Sequence, residues 1–103
     1  MNEKQPWGAY EFNRCNPNFQ WNDVGGIYIF TGLNAAKNAW IAYYIGQTDS
    51  FSNRLPSHER WDEAVRKGAT EIHARVEKDA RKRDSMEAEL IQRFQPPLNT
   101  QLK

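Results

Sequence analysis

Two apolar runs, Gly26-Ile27-Tyr28-Ile29-Phe30 and Ala42-Tyr43-Tyr44-Ile45-Gly46, constrain the fold of this chain more than any other feature. Ile27 to Thr31 is β-branched and aromatic, which suits a strand, and Trp40 to Ile45 reads as a second. Between them, residues 32 to 38 (Gly-Leu-Asn-Ala-Ala-Lys-Asn) are rich in turn formers. A connection this short cannot make a parallel crossover, so the two strands are expected to be antiparallel neighbours. Tyr43 beside Tyr44 leaves two registers open, because a slip by one residue swaps their faces.

Residues 1–24 hold Trp7, Tyr10, Phe12, Phe19 and Trp21 among Asn, Gln and Pro, with no period of 2 or 3.6. They predict an irregular extension, too aromatic for a solvated tail. It is either a strap packed across the domain or an arm that contacts a partner chain or DNA. Asn53 is placed to cap a helix running to about Lys67, with Pro56 in its first turn and Gly68 as its stop. Glu71 to Glu77 alternates: Ile72, Ala74 and Val76 face one way, Glu71, His73, Arg75 and Glu77 the other. This predicts a half-buried strand with His73 on its solvated side. A second helix is expected from about Ala80 to Phe94, stopped by Pro96-Pro97.

A chain of 103 residues with 39% hydrophobic and 13% aromatic content is expected to form one globular domain. Its one cysteine, Cys15, rules out an internal disulfide and suits a reducing compartment. No stretch is apolar and long enough for a membrane span or signal peptide, so the expected location is cytoplasmic. Net charge is only +1, so any attraction for phosphate must come from how the basic residues are distributed. Arg75, Lys78, Arg81, Lys82 and Arg83 make a local surplus against Glu77 and Asp79. That surplus is either a solvated face or a patch that tracks a phosphate backbone.

Glu87 is the sharpest single anomaly. At 100° per residue, Leu90, Ile91 and Phe94 fall within about 60° of it, whereas Glu89 points to the solvated side. A carboxylate within an apolar stripe needs a partner. It either pairs with an arginine at the edge of the core or serves as a metal ligand or catalytic acid. Arg54 and His58, four apart on the expected helix, would share one face. That face is either solvated or able to grip phosphate, for which the arginine fork is suited. Tyr28 and Tyr44, on adjacent strands, are either half-core residues with wet hydroxyls or part of a site. Gly46 at its strand end permits close approach of a backbone or a ligand.

The order of these pieces resembles the GIY-YIG nuclease family: Gly26-Ile27-Tyr28, then Tyr44-Ile45-Gly46, Arg54 with His58, Glu87 with Leu90-Ile91, and Pro96 with Asn99. The resemblance spans residues 25–101 and includes both strings of the namesake motif. It implies an α+β fold, a small three-stranded antiparallel sheet flanked by helices. This domain would cover residues 25–103, with the aromatic extension over 1–24 packed on it or on a partner. It also implies phosphodiester hydrolysis with one divalent ion per site, magnesium or manganese. On that reading Glu87 is the metal ligand and Arg54 binds the scissile phosphate. Tyr28 is the general base or orients the attacking water, and Tyr44 hydrogen-bonds the phosphate or orders the site. His58 assists proton transfer, and Asn99 braces the glutamate or the strand ends. Gly46, Gln47, Arg75, Lys78, Arg81 and Lys82 are candidate nucleic-acid contacts. The expected function is a metal-dependent endonuclease on DNA, whether intact duplex, branched or damaged, cutting one strand per site. Double-strand cleavage would then need a homodimer or two encounters. The alternative is a nucleic-acid- or protein-binding module on the same fold with little catalysis.

Overall fold

The computed structural model describes residues 3–102, and residues 1, 2 and 103, at the outer ends of the two expected segments, lie outside them. In chain order the elements are β1 (Lys4–Trp7), β2 (Tyr10–Cys15), β3 (Gly26–Leu33), β4 (Trp40–Thr48), α1 (Phe51–Arg54), α2 (Trp61–Lys67), β5 (Glu71–Val76) and α3 (Ala80–Phe94). Short 3-10 turns span Leu55–Ser57 and Pro97–Leu102. All strands pair antiparallel in the order β1-β2-β5-β3-β4. The fold is α+β as expected, but the sheet has five strands rather than three.

The two extra strands come from the segment expected to be irregular. Gly8 and Ala9 make a two-residue loop with positive φ at Gly8 (62°) only, the pattern of a type II′ hairpin turn. The hairpin joins the sheet by pairing Asn13, Arg14 and Cys15 with Ala74, His73 and Ile72 of β5. Its outer strand is nearly all solvated, so the segment shows no clean alternation of apolar and polar residues.

This addition also overturns the surface placement of His73, which is fully buried. The indole Nε1 of Trp7 donates to His73 Nδ1 at 3.0 Å, and His73 Nε2 lies 3.0 Å from Glu71 Oε1. Arg14 grips Glu71 with two hydrogen bonds (3.0 and 2.8 Å) and stacks 4.8 Å over the Trp40 ring. The side of β5 that reads as polar is thus covered by a second layer.

Both faces of β3 are packed, which explains its continuous apolar run. Tyr28 and Phe30 meet Phe51, Leu55, Ala64 and Leu98 on one side. Ile27 and Ile29 meet Trp7, Phe12, Met86 and Leu90 on the other. The register steps from Phe30↔Tyr44 to Thr31↔Ala42, so Tyr43 is the extra residue of a bulge. Tyr43 and Tyr44 therefore pack on the same side as Tyr28.

The expected helix over residues 53–67 is broken. Ser50, not Asn53, is the cap: its hydroxyl accepts from Asn53 N–H at 3.3 Å. Pro56 has no N–H to continue the helical ladder, and the chain tightens to a 3-10 turn. His58 is then extended (φ −105°, ψ 128°), and α2 begins at Trp61. Gly68 stops α2 as expected, at φ 128° with its N–H on the carbonyls of Ala64 and Val65. α3 covers the predicted Ala80–Phe94, capped by the Asp79 carboxylate on the N–H groups of Arg81 and Lys82.

Candidate active site

Tyr28 anchors the site. It lies opposite Gly46 on β4, where an added Cβ would come within 2.5 Å of the Tyr28 Oη, so the glycine makes room for the phenol. That hydroxyl is 2.8 Å from His58 Nε2. The backbone N–H of Arg60 donates to His58 Nδ1 at 3.0 Å, so the proton of the neutral ring sits on Nε2. His58 therefore donates to Tyr28 Oη, and the proton of the phenol points elsewhere. Burial, reinforced by the Arg54 charge, pushes His58 down to about 4, which keeps the ring neutral near pH 7.

Arg54 and His58 do not share a helical face. The break at His58 turns its ring inward, 8% exposed and edge-on to Tyr28, Phe30 and Tyr44. Arg54 has both terminal nitrogens on the Glu59 carboxylate, at 2.8 and 2.9 Å. It still acts on the same phenol from outside. Burial first, then Tyr44, raises the Tyr28 hydroxyl above the usual phenol range, Arg54 opposes this, and the Glu87 charge adds to it. Tyr44 follows the same pattern: burial raises it, Arg54 opposes, Glu87 reinforces. The Tyr28 and Tyr44 rings lie 6.3 Å apart.

Glu87 is half-buried on α3, and burial raises its carboxyl against the hydrogen bond that Gln47 donates. That bond, Gln47 Nε2 to Oε1 at 2.9 Å, is the one hydrogen bond to Glu87 among the described residues. No arginine pairs with it, which sets aside the ion pair at the core edge. Tyr28, Tyr44, Arg54, His58 and Glu87 thus come together in one electrostatically connected cluster. Asn99 stands behind it. Its Oδ1 accepts from Ile45 N–H and its Nδ2 donates to Ile45 C=O, both at 2.8 Å. The side chain fills the place of a neighbouring strand along the β4 edge; it braces the strand rather than the glutamate.

The candidate nucleic-acid contacts divide. Gly46 and Gln47 belong to the site, although the Gln47 side chain turns toward α3. Arg75 stacks over the Tyr10 ring at 5.4 Å and donates to the Glu11 carbonyl. Lys78, Arg81 and Lys82 are exposed at the start of α3. Arg81 and Lys82 lie about 120° and 140° around the helix from Glu87, on its other flank. Two residues with site contacts, Glu59 and Asp84, escaped the sequence reading, and Arg83 was read only as part of the basic surplus. Asp84 and Arg83 each left a signal, three and four residues before Glu87 on the same helix.

The donor chemistry fits a hard divalent ion. Glu87 Oε2 has no protein partner among the described residues, and the only group on Oε1 is a neutral amide. No three His, Cys, Asp or Glu side chains among the described residues converge to hold a metal. A single carboxylate with water and phosphate oxygens completing the shell suits magnesium, which dehydrates reluctantly.

No known family's sequence model matches the chain, and no curated protein matches it. Solved structures do. The N-terminal GIY-YIG endonuclease domain of UvrC from Thermotoga maritima, bound to its catalytic magnesium, is 28% identical. The match covers 75% of this chain and 84% of that one at a TM-score of 0.59. An Asn-to-Ala variant of the same domain, bound to its catalytic divalent cation, aligns at 28% identity and TM-score 0.59 over 75% and 83% of the two chains. A Tyr-to-Phe variant aligns at 27% identity and TM-score 0.58 over 75% and 84%. From this likeness and the hairpin, helix and turn that carry its motifs, the chain has the GIY-YIG nuclease fold.

Proposed function

We propose that this protein is a divalent-metal-dependent endonuclease that hydrolyses phosphodiester bonds in DNA, one strand per site. The observation that carries the reading is the half-buried Glu87, which pairs with no cationic side chain among the described residues and lies within electrostatic reach of two phenols that also feel Arg54. Magnesium or manganese bound there supplies Lewis-acid polarisation of the phosphate. Glu87 would hold that ion. Arg54 exchanges Glu59 for the scissile phosphate; an exposed ion pair is weak, and phosphate takes the same two-pronged grip. The guanidinium is then placed to stabilise the added negative charge of the transition state.

Tyr28 accepts a hydrogen bond from His58, which favours its ionised form, as does the Arg54 charge. With its charge offset by a cation, Glu87 would oppose ionisation less, so Tyr28 would lose its own proton to solvent more readily and be available as the phenolate that accepts a proton from the attacking water. His58 is a fixed donor in this scheme, not a carrier. Tyr44 hydrogen-bonds the phosphate, and Asn99 keeps the β4 edge in register. Gly46 serves the site by making room for the Tyr28 phenol rather than by touching the substrate. Arg75, Lys78, Arg81 and Lys82 contact flanking phosphates at a distance from the cut, and a homodimer would bring a second site to the opposite strand.

The test is cleavage of plasmid and branched DNA in magnesium and manganese, with Glu87→Gln as the control. The expected loss is on the order of 10²–10³-fold. Unchanged cleavage by Glu87→Gln refutes the mechanism. Tight, salt-sensitive binding with no turnover by the native chain would make it a binding module instead.

A further inference from the structure

Gln47 follows the Tyr44-Ile45-Gly46 string and stands opposite Ile27, so its side chain lies on the face that α3 covers. Its Nε2 donates to Glu87 Oε1 at 2.9 Å and to Asp84 Oδ1 at 2.6 Å. Its Oε1 accepts from Arg83 Nε at 3.3 Å. Arg83 is itself fixed: it is 8% exposed, and its Nη1 donates to the carbonyls of Glu77 (3.0 Å) and Lys78 (3.1 Å).

A primary amide has one accepting end and one donating end. With a guanidinium on its oxygen, the NH₂ of Gln47 has to face the carboxylates; a flip would set oxygen against oxygen and N–H against N–H. The orientation is therefore decided from the β5–α3 connection through Arg83, and handed on to Glu87. Among the described residues only one oxygen of Glu87 is taken, and the other is left for a ligand. The amide is also neutral. An aliphatic side chain here would leave Glu87 half-buried without a donor.

We propose that Gln47, locked by Arg83, is a positioning residue that sets the Glu87 carboxylate for a divalent cation while leaving its charge intact. The inference rests on the reading of Glu87 as the metal ligand. Hydrogen bonds to a ligating group from outside the coordination shell typically change metal affinity 10- to 100-fold.

The experiment is calorimetric titration of the full chain with Mn²⁺ in the absence of nucleic acid, each variant's melting point without metal being recorded alongside. Glu87→Gln should abolish measurable binding. Gln47→Met, close to glutamine in shape but without donors, should weaken Mn²⁺ binding about 10- to 100-fold. Arg83→Lys keeps a cation near the two carbonyls but removes the Nε donor; it should weaken binding by a smaller factor, and it carries the test should Gln47→Met fail to fold. If Gln47 only ties β4 to α3, the melting point falls while Mn²⁺ affinity stays within twofold of the native chain, and the proposal is overturned. Loss of binding in Glu87→Gln with unchanged affinity in folded Gln47→Met and Arg83→Lys sinks this inference alone. A native chain that binds no Mn²⁺ sinks the metal reading as well.

Discussion

A buried neutral imidazole whose Nδ1 accepts a backbone N–H has one proton to offer, and in His58 it is aimed at the Tyr28 oxygen. That geometry separates two roles that a sequence cannot. If His58 works as a donor, His58→Gln, whose amide can present an N–H near the place of Nε2, should cleave within about tenfold of the native rate. His58→Ala should lose on the order of 10²-fold or more, as when a single oriented donor is removed. Equal loss in both variants, measured as single-turnover rate, would mean that the ring itself carries a proton. Glu87 was legible at this scale because the angular position of a residue on a helix follows from its number alone. The room that Gly46 makes for Tyr28 Oη was not, since it depends on how two strands face each other.

The N-terminal hairpin is held to the body of the sheet by the β2–β5 ladder and by polar contacts that include the Arg14–Glu71 pair and, in the buried layer, the Trp7 indole on His73. Both side chains are buried, so an unmade bond here is not replaced by water. Trp7→Phe should therefore destabilise the fold by about 1–3 kcal/mol, read as a lower denaturant midpoint with unchanged slope. No change in midpoint would show that the indole N–H contributes nothing. Elements set by local rules emerged where expected: α3 from its apolar spacing, the end of α2 from Gly68, the β3–β4 hairpin from its short loop. The missed elements depend on partners. Pro56 sits acceptably in a first turn by rule, yet here it follows a helix already capped at Ser50 and ends it. β1 is short and β2 shows no clean alternation of buried and exposed residues, and they are strands because β5 offers an edge to pair with.

For the molecule as a whole, two buried histidines lower stability between neutral pH and about pH 4.5. Burial holds His58 at about 4 and lowers His73. Between the ordinary histidine range and pH 4, the unfolded chain takes up protons that the folded chain refuses, so stability is fully present above about pH 6.5 and falls as pH drops. At about 1.4 kcal/mol per pH unit, His58 alone should remove roughly 2–3 kcal/mol between pH 7 and 4.5. Glu87, raised by burial, acts in the opposite sense and trims that loss. Chemical denaturation at the two pH values checks this, and an equal midpoint at both would contradict it. The chain by itself determined the central hairpin, the long helix with its misplaced carboxylate, and the order in which the site residues occur, because each follows from spacing over a few residues. Only the tertiary structure decided that the N-terminus is a pair of strands, that His73 and His58 are buried, and that Gln47 serves Glu87. Those outcomes join residues 66, 30 and 40 positions apart (Trp7 with His73, Tyr28 with His58, Gln47 with Glu87), and no local pattern encodes which distant group a side chain will meet.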